Sequence, residues 1–221
     1  MKEQFRRDQR VIRLIRLALE QVGVEPARTS WDPPRLRIVP PATGRDVGTV
    51  GFHRDTWGSN LLAQTNWWLP LRPLTDERTI AFYPEYWSTP IANTSAEWDL
   101  AAIRERRRAG KPLGELSMVP TPTAPPRTGS EVRVVIEPGD LLCFSGAHLH
   151  ASVPNTSAGS RVSAELRTIN SDDLALGRGA PALDGEAPET QFGWFRSIVD
   201  GTPLSPGDRA DLPPRPDGDP A

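Results

Sequence analysis

Gly139-Asp140-Leu141-Leu142-Cys143-Phe144 opens the stretch on which the fold is read; it runs through His148-Leu149-His150-Ala151-Ser152-Val153-Pro154-Asn155-Thr156-Ser157 to Arg161-Val162-Ser163. A Gly-Asp turn starts one apolar run, and a second, residues 161–169, begins after the Pro-Asn punctuation. Runs this short, rich in Val, Ile, Trp and Phe and bounded by Gly, Pro, Asp and Asn, predict strands rather than helices. Working outward, the same pattern recurs at 36–39, 49–52, 64–71, 79–83 and 132–136. Many short strands with such punctuation predict a mainly β protein, a sandwich or barrel of jelly-roll type.

Helical periodicity is confined to two places. Val11, Ile12, Ile15, Leu19 and Val22 recur at three-to-four spacing, with Arg6, Arg10, Arg13 and Glu20 on other faces, which predicts one amphipathic helix over about 3–23. Trp31-Asp32-Pro33-Pro34 then breaks it. A second helix is expected from Ser95, as N-cap, to about Arg108, with Arg104-Glu105-Arg106-Arg107-Arg108 as a solvated face. Residues 117–130 read as a proline-rich loop. Residues 200–221 are Pro/Gly/Asp-rich with no apolar periodicity and are expected to form a flexible tail. The expected organisation is one domain over 1–199, with its core at about 35–170.

Composition narrows the function. The chain has 221 residues and a formal charge of −2, so no global basic field attracts nucleic acid or a membrane surface. One cysteine, Cys143, precludes an internal disulfide and a cysteine-clustered zinc site. No apolar run approaches the roughly 18 residues of a membrane span. The Arg-rich N-terminus lacks the apolar core of a signal peptide. A cytoplasmic protein acting on a small molecule is expected, and the sequence carries no signal for an oligomeric state. Lysine occurs only at Lys2 and Lys111, so isolated arginines carry little weight.

Only three histidines are present: His53, His148 and His150. In Phe52-His53-Arg54-Asp55, strand alternation predicts His53 and Asp55 on one face. A second strand could bring one imidazole of His148-Leu149-His150 to the same point. Two histidines and one carboxylate on one side of an ion leave positions open, as in the facial triad of non-heme iron(II) oxygenases.

With these segments in view, residues 35–170 resemble the iron(II)/2-oxoglutarate-dependent oxygenases, in particular the phytanoyl-CoA dioxygenase-like group. The resemblance rests on Gly51-Phe52-His53-Arg54-Asp55, on Asn66-Trp67-Trp68-Leu69-Pro70-Leu71, and on the string from Gly139 to Arg161. It implies a double-stranded β-helix (jelly-roll/cupin-like) core with flanking helices, Fe(II) as the metal, and 2-oxoglutarate and O2 as co-substrates. It implies His53, Asp55 and His150 as the catalytic metal ligands. His150 is preferred to His148 because Pro154-Asn155-Thr156-Ser157 and Arg161 follow it in family register. Arg161 would grip the remote carboxylate of 2-oxoglutarate with a two-pronged pair, aided by Ser163 on the same strand face. Trp68 would line that pocket, and Asn66 would bond co-substrate or substrate. Trp57 and His148 are the expected substrate contacts.

The implied reaction is hydroxylation, or desaturation or cyclisation, with release of succinate and CO2, in bacterial secondary metabolism. Asp55 stands where related halogenases carry a small residue, which argues against halogenation. The alternative reading is a metal-dependent cupin, an isomerase or a cofactor-independent dioxygenase that does not use 2-oxoglutarate. The aromatic residues Trp57, Trp67, Trp68 and Tyr83 suggest an apolar or aromatic small-molecule substrate, and the arginine-rich helix allows an anionic one.

Overall fold

The computed structural model describes residues 1–41, 49–113 and 116–205. The N-terminal segment is two helices, α1 (Lys2–Arg7) and α2 (Gln9–Gln21), rather than one. Asp8 is extended and its carboxylate accepts from the amides of Arg10 and Val11, so it caps α2 and breaks the run. Ile15 and Leu19 are buried as the periodicity predicts, whereas Val22 is exposed and Val24 takes the packing position.

The strands are β1 (Thr29–Val39), β2 (Gln64–Pro70), β3 (Ile80–Phe82), β4 (Val132–Val134), β5 (Leu142–Ser145), β6 (His150–Ser152), β7 (Arg161–Asn170) and β8 (Arg196–Ser197). Two antiparallel sheets result, ordered β5-β2-β7-β1-β8 and β4-β3-β6. The molecule is therefore mainly β with flanking helices. A turn precedes β5 as the sequence predicts: Gly139 has φ +106°, a region open to glycine, and the Asp140 carboxylate accepts from the Glu137 amide.

Two expected boundaries are wrong. Trp31-Asp32-Pro33-Pro34 lies inside β1, where the register against β7 slips between Asp32 and Arg35. The prolines cannot complete the ladder there, so the strand bulges and changes phase. Asp32 and Arg35, three residues apart, consequently pair with Arg167 and Glu165. Residues 49–52 form no strand; Val50 touches β6 through single hydrogen bonds to Ser152.

The second helix also starts later than expected. Ser95–Glu97 is a 3-10 turn, and α4 (Leu100–Arg108) is capped by the Asp99 carboxylate on the Ala102 amide. A short helix, α3 (Thr56–Ser59), follows Asp55, and α5 (Ser171–Ala175) follows β7. Of the expected tail, residues 206–221 lie outside the described residues. Its beginning is packed: Leu204 is buried with Leu61, Ile169 and Phe195.

The larger sheet has two unlike faces. Trp31, Trp67 and Leu166 pack under Ile15 and Leu19 on one side. Alternation turns Asn66 and Trp68 of β2, and Arg161, Ser163, Glu165 and Arg167 of β7, to the other side, where all but the fully buried Ser163 line a cavity of about 90 Å3. Ile80, Phe144, His150 and Ser152 complete that cavity.

Candidate metal centre

His53, Asp55 and His150 come together. One ligand atom from each lies within 4.8 Å of the other two, and His53 Nε2 is 3.8 Å from Asp55 Oδ1. The geometry that achieves this is not the expected regular strand. His53 forms a single antiparallel bridge with His150, its amide donating to the His150 carbonyl at 3.0 Å and the reverse bond measuring 3.1 Å. Asp55 has already turned into helical conformation at the start of α3. The turn, not alternation, aims its carboxylate back at the histidines.

Both rings present the same nitrogen. His53 Nδ1 is 2.8 Å from the Gly51 carbonyl, and His150 Nδ1 is 2.9 Å from the His148 carbonyl. A carbonyl can only accept, so each Nδ1 carries the proton and each Nε2 keeps its lone pair for a cation. Phe82 stacks on His150 at 5.7 Å between centroids, and Phe144 meets it edge-on at 5.2 Å. Burial, followed by the neighbouring His150, pushes the His53 pKa down to about 3. Burial alone would raise the Asp55 pKa, but the Arg167 guanidinium overrides it and holds the carboxyl well below its usual range. The set at neutral pH is a neutral His53 and an anionic carboxylate, which is the ligating form.

Asp55 is held from behind. Asn66 Nδ2 donates to Oδ2, and Arg167 Nη2 donates to Oδ1 at 2.8 Å. Asn66 also accepts from Gln64 at 2.7 Å. Asn66, expected to bond co-substrate or substrate, lines the cavity and directs its amide N–H at the carboxylate. Arg54, between His53 and Asp55, is buried and donates to the carbonyls of Ala147, Tyr86 and Thr89 and to Asp184.

At the far part of the cavity, Arg161 is 1% exposed and bonds the Thr79 carbonyl and Ser152 Oγ. Its Nε and the Oγ of fully buried Ser163 have no partner among the described residues. Burial and the Arg37 charge lower the Arg161 pKa to about 10, so it remains cationic at neutral pH. Trp68 lies on the same wall.

Two expected substrate contacts lie elsewhere. Trp57 is 0% exposed, packs with Ala81, Tyr83 and Leu149, and donates to Asp184 Oδ1 at 2.7 Å; it is core, not cavity wall. His148 sits in a turn outside the cavity lining, its ring 4.5 Å from that of Trp87. Tyr83 is equally remote from the cavity and donates to Glu131 at 3.3 Å. The wall facing the centre is charged instead: Asp32, Arg35, Arg37, Glu165 and Arg167. Sequence reasoning missed Arg167, Asp32 and Asp184. The signal for Arg167 was the period-two string Arg161, Ser163, Glu165, Arg167, which shares one face of a strand.

A buried pair of imidazoles and one carboxylate, opening on a cavity in a β protein, defines a candidate mononuclear metal centre. Residues 92–163 match the family model for phytanoyl-CoA dioxygenase, about a third of the chain and including His150 and Arg161. The chain resembles that family. Among curated proteins, none matches. Solved structures similar to the chain include EvdMO1, at 20% identity and TM-score 0.42, covering 71% of this chain and 30% of that one. They include EvdO2 from Micromonospora carbonacea var. aurantiaca complexed with 2-oxoglutarate, at 14% identity and TM-score 0.49, covering 76% and 62%. They also include SnoK, a non-heme alpha ketoglutarate dependent carbocyclase from nogalamycin biosynthesis, at 17% identity and TM-score 0.43, covering 81% and 64%. The chain thus spans less than two thirds of each of these structures.

Proposed function

We propose that this chain is a non-heme iron(II)- and 2-oxoglutarate-dependent oxygenase acting on a small molecule. The observation that carries the reading is the convergence of His53 Nε2, His150 Nε2 and the Asp55 carboxylate beside a cavity lined by Arg161, whose Nε has no partner, with the unpartnered Ser163 Oγ two residues on along the same strand face. Two imidazoles and a carboxylate suit Fe(II) and occupy one side of it. A buried guanidinium and hydroxyl with unused donors suit a carboxylate, because an unpartnered buried donor costs free energy until a ligand satisfies it. That feature favours a co-substrate acid over the cupin alternative.

On this reading His53, Asp55 and His150 hold the iron, Arg161 and Ser163 hold the remote carboxylate of 2-oxoglutarate, and Trp68 walls the pocket. Bound iron and 2-oxoglutarate supply the activation of O2 that oxidises a substrate C–H bond, with release of succinate and CO2. The protein orients the two molecules and keeps water from the centre. The two sheets are proposed to be the walls of a double-stranded β-helix, in one domain that the sequence predicts to end at residue 199 and whose packing continues to Leu204. A single cysteine accords with a reducing cytoplasm, and no helix among the described residues is long and apolar enough to cross a membrane. The charged wall favours a polar substrate over the apolar or aromatic one expected from sequence. A place in bacterial secondary metabolism belongs to the same proposal.

The test is anaerobic titration of the protein with Fe(II) and 2-oxoglutarate. A weak visible charge-transfer band should form and be absent in His53→Ala. A wild-type protein that gives no band, and no succinate in air, would refute the reading.

A further inference from the structure

Arg167 sits in a row that crosses three adjacent strands. On β7 it is the register partner of Asn66 on β2 and of Asp32 on β1. Register partners on antiparallel strands place their side chains on the same face. The row Asn66, Arg167, Asp32 therefore lies side by side on the cavity face, and two of its members end on one carboxylate. Asn66 takes Asp55 Oδ2 and Arg167 takes Oδ1 at 2.8 Å. The other arm of the guanidinium, Nη1, reaches Asp32 Oδ2 at 3.3 Å. The Trp194 ring lies 5.6 Å from its central carbon.

Asp55 itself belongs to a different part of the chain, the turn into α3, so nothing in its own backbone fixes the rotation of its carboxylate. The planar fork of Arg167 does so, because its two arms are tied to two carboxylates whose backbones are independent. With each oxygen already accepting one hydrogen bond, the carboxylate plane is set.

We propose that Arg167 is the positioning residue of the metal centre: braced by Asp32 and opposed by Asn66, it fixes the Asp55 carboxylate so that one oxygen faces the ion. The inference rests on the reading of His53, Asp55 and His150 as metal ligands. Partners of this kind tune metal affinity by about 10–100-fold. A salt bridge that merely stabilised the fold would leave the metal's coordination unchanged.

The experiment is Co(II) binding to the full chain without 2-oxoglutarate, followed by calorimetry and by the Co(II) visible absorption spectrum. Arg167→Met should weaken Co(II) binding by at least about tenfold and alter the spectrum. Arg167→Lys, which keeps the charge but not the fork, should fall between it and wild type. Asp32→Asn, which releases the brace, should weaken binding by less than Arg167→Met. Co(II) binding by Arg167→Met within about twofold of wild type, with an unchanged spectrum, overturns the proposal. Should Arg167→Met fail to fold, the other two variants decide, and wild-type affinity and spectrum in both overturn it equally. Wild-type protein that binds no Co(II) refutes the metal-centre reading itself, a result distinct from a variant that matches a binding wild type.

Discussion

Asp184 lies in a loop far along the chain from the candidate ligands, yet it holds the turn that carries them. Its Oδ2 accepts from Arg54 Nε at 3.2 Å and from the Ile91 amide at 3.0 Å, and its Oδ1 accepts from Trp57 Nε1 at 2.7 Å. The Arg54 and Asp184 side chains are 2% and 8% exposed. Asp184→Ala leaves a buried guanidinium without its counter-charge, which costs about 3–5 kcal/mol. It also strands the Trp57 N–H, at about 1–3 kcal/mol. These losses are not additive, since Arg54 keeps three carbonyl acceptors, so the expected total is about 4 kcal/mol. At roughly 2–4 °C per kcal/mol for a chain of this size, Tm should fall by about 8–16 °C. Asp184→Asn retains an acceptor for Trp57 and should lose about half as much. Urea denaturation and thermal melting measure both. Because Arg54 lies between His53 and Asp55, Co(II) affinity of the folded variant should fall as well. A loss below about 1 kcal/mol for Asp184→Ala would show that the Arg54–Asp184 pair does not hold the turn.

Other outcomes follow from the same geometry. Leu19→Ala removes a buried contact between α2 and the sheet and should cost about 2–5 kcal/mol in urea denaturation without changing Co(II) affinity. Ser163→Ala should be close to neutral for stability, because its hydroxyl has no protein partner, yet weaken 2-oxoglutarate binding several-fold in equilibrium dialysis; an unchanged affinity would remove Ser163 from the site. Arg161, a guanidinium that keeps its charge throughout this range, should hold 2-oxoglutarate affinity flat from pH 7 to about 9; a fall within that range would argue against Arg161 as the carboxylate's partner. Metal-free stability should fall as pH drops below the ordinary histidine value. His53 is depressed to about 3, so in the window from about 6.5 down to 3 the unfolded chain takes up a proton that the folded chain refuses. That loss runs at up to about 1.4 kcal/mol per pH unit. Asp55, also depressed, adds to it as pH falls through the usual carboxylate range, and chemical denaturation across pH would expose a flat profile if His53 were solvated.

Much of the β architecture was legible because strand-length apolar runs were bounded by turn residues. β2, β3, β5 and β7 fall within about a residue or two of the expected runs. What misled were residues with two local meanings. Pro33 and Pro34 signal a break in either helix or strand, and only pairing with β7 shows that the strand continues through them as a bulge. Asp8 looked like one polar position on a long helix, but its carboxylate competes for the backbone and caps a new one. At the centre, the chemistry of His53, Asp55 and His150 was legible from residue type and spacing, although a turn rather than alternation unites them. Trp57 was misplaced because an aromatic residue beside a site is as readily core as wall. The period-two string on β7 marked the face Arg167 shares with Arg161, but its pairing with Asp55, like that of Asp184 with Arg54, spans more than a hundred residues, and a single chain carries no local signal for such pairs.

β8 pairs only with Ser30 and Trp31, so among the described residues β1 continues beyond it with no strand on that side. Successive amides of a strand point to opposite edges, and Pro33 and Pro34 remove one donor from each. A strand from another molecule arriving at this border would find its ladder interrupted near the first rungs. The prolines that re-phase the cavity wall therefore also break the run of donors along this border of the sheet.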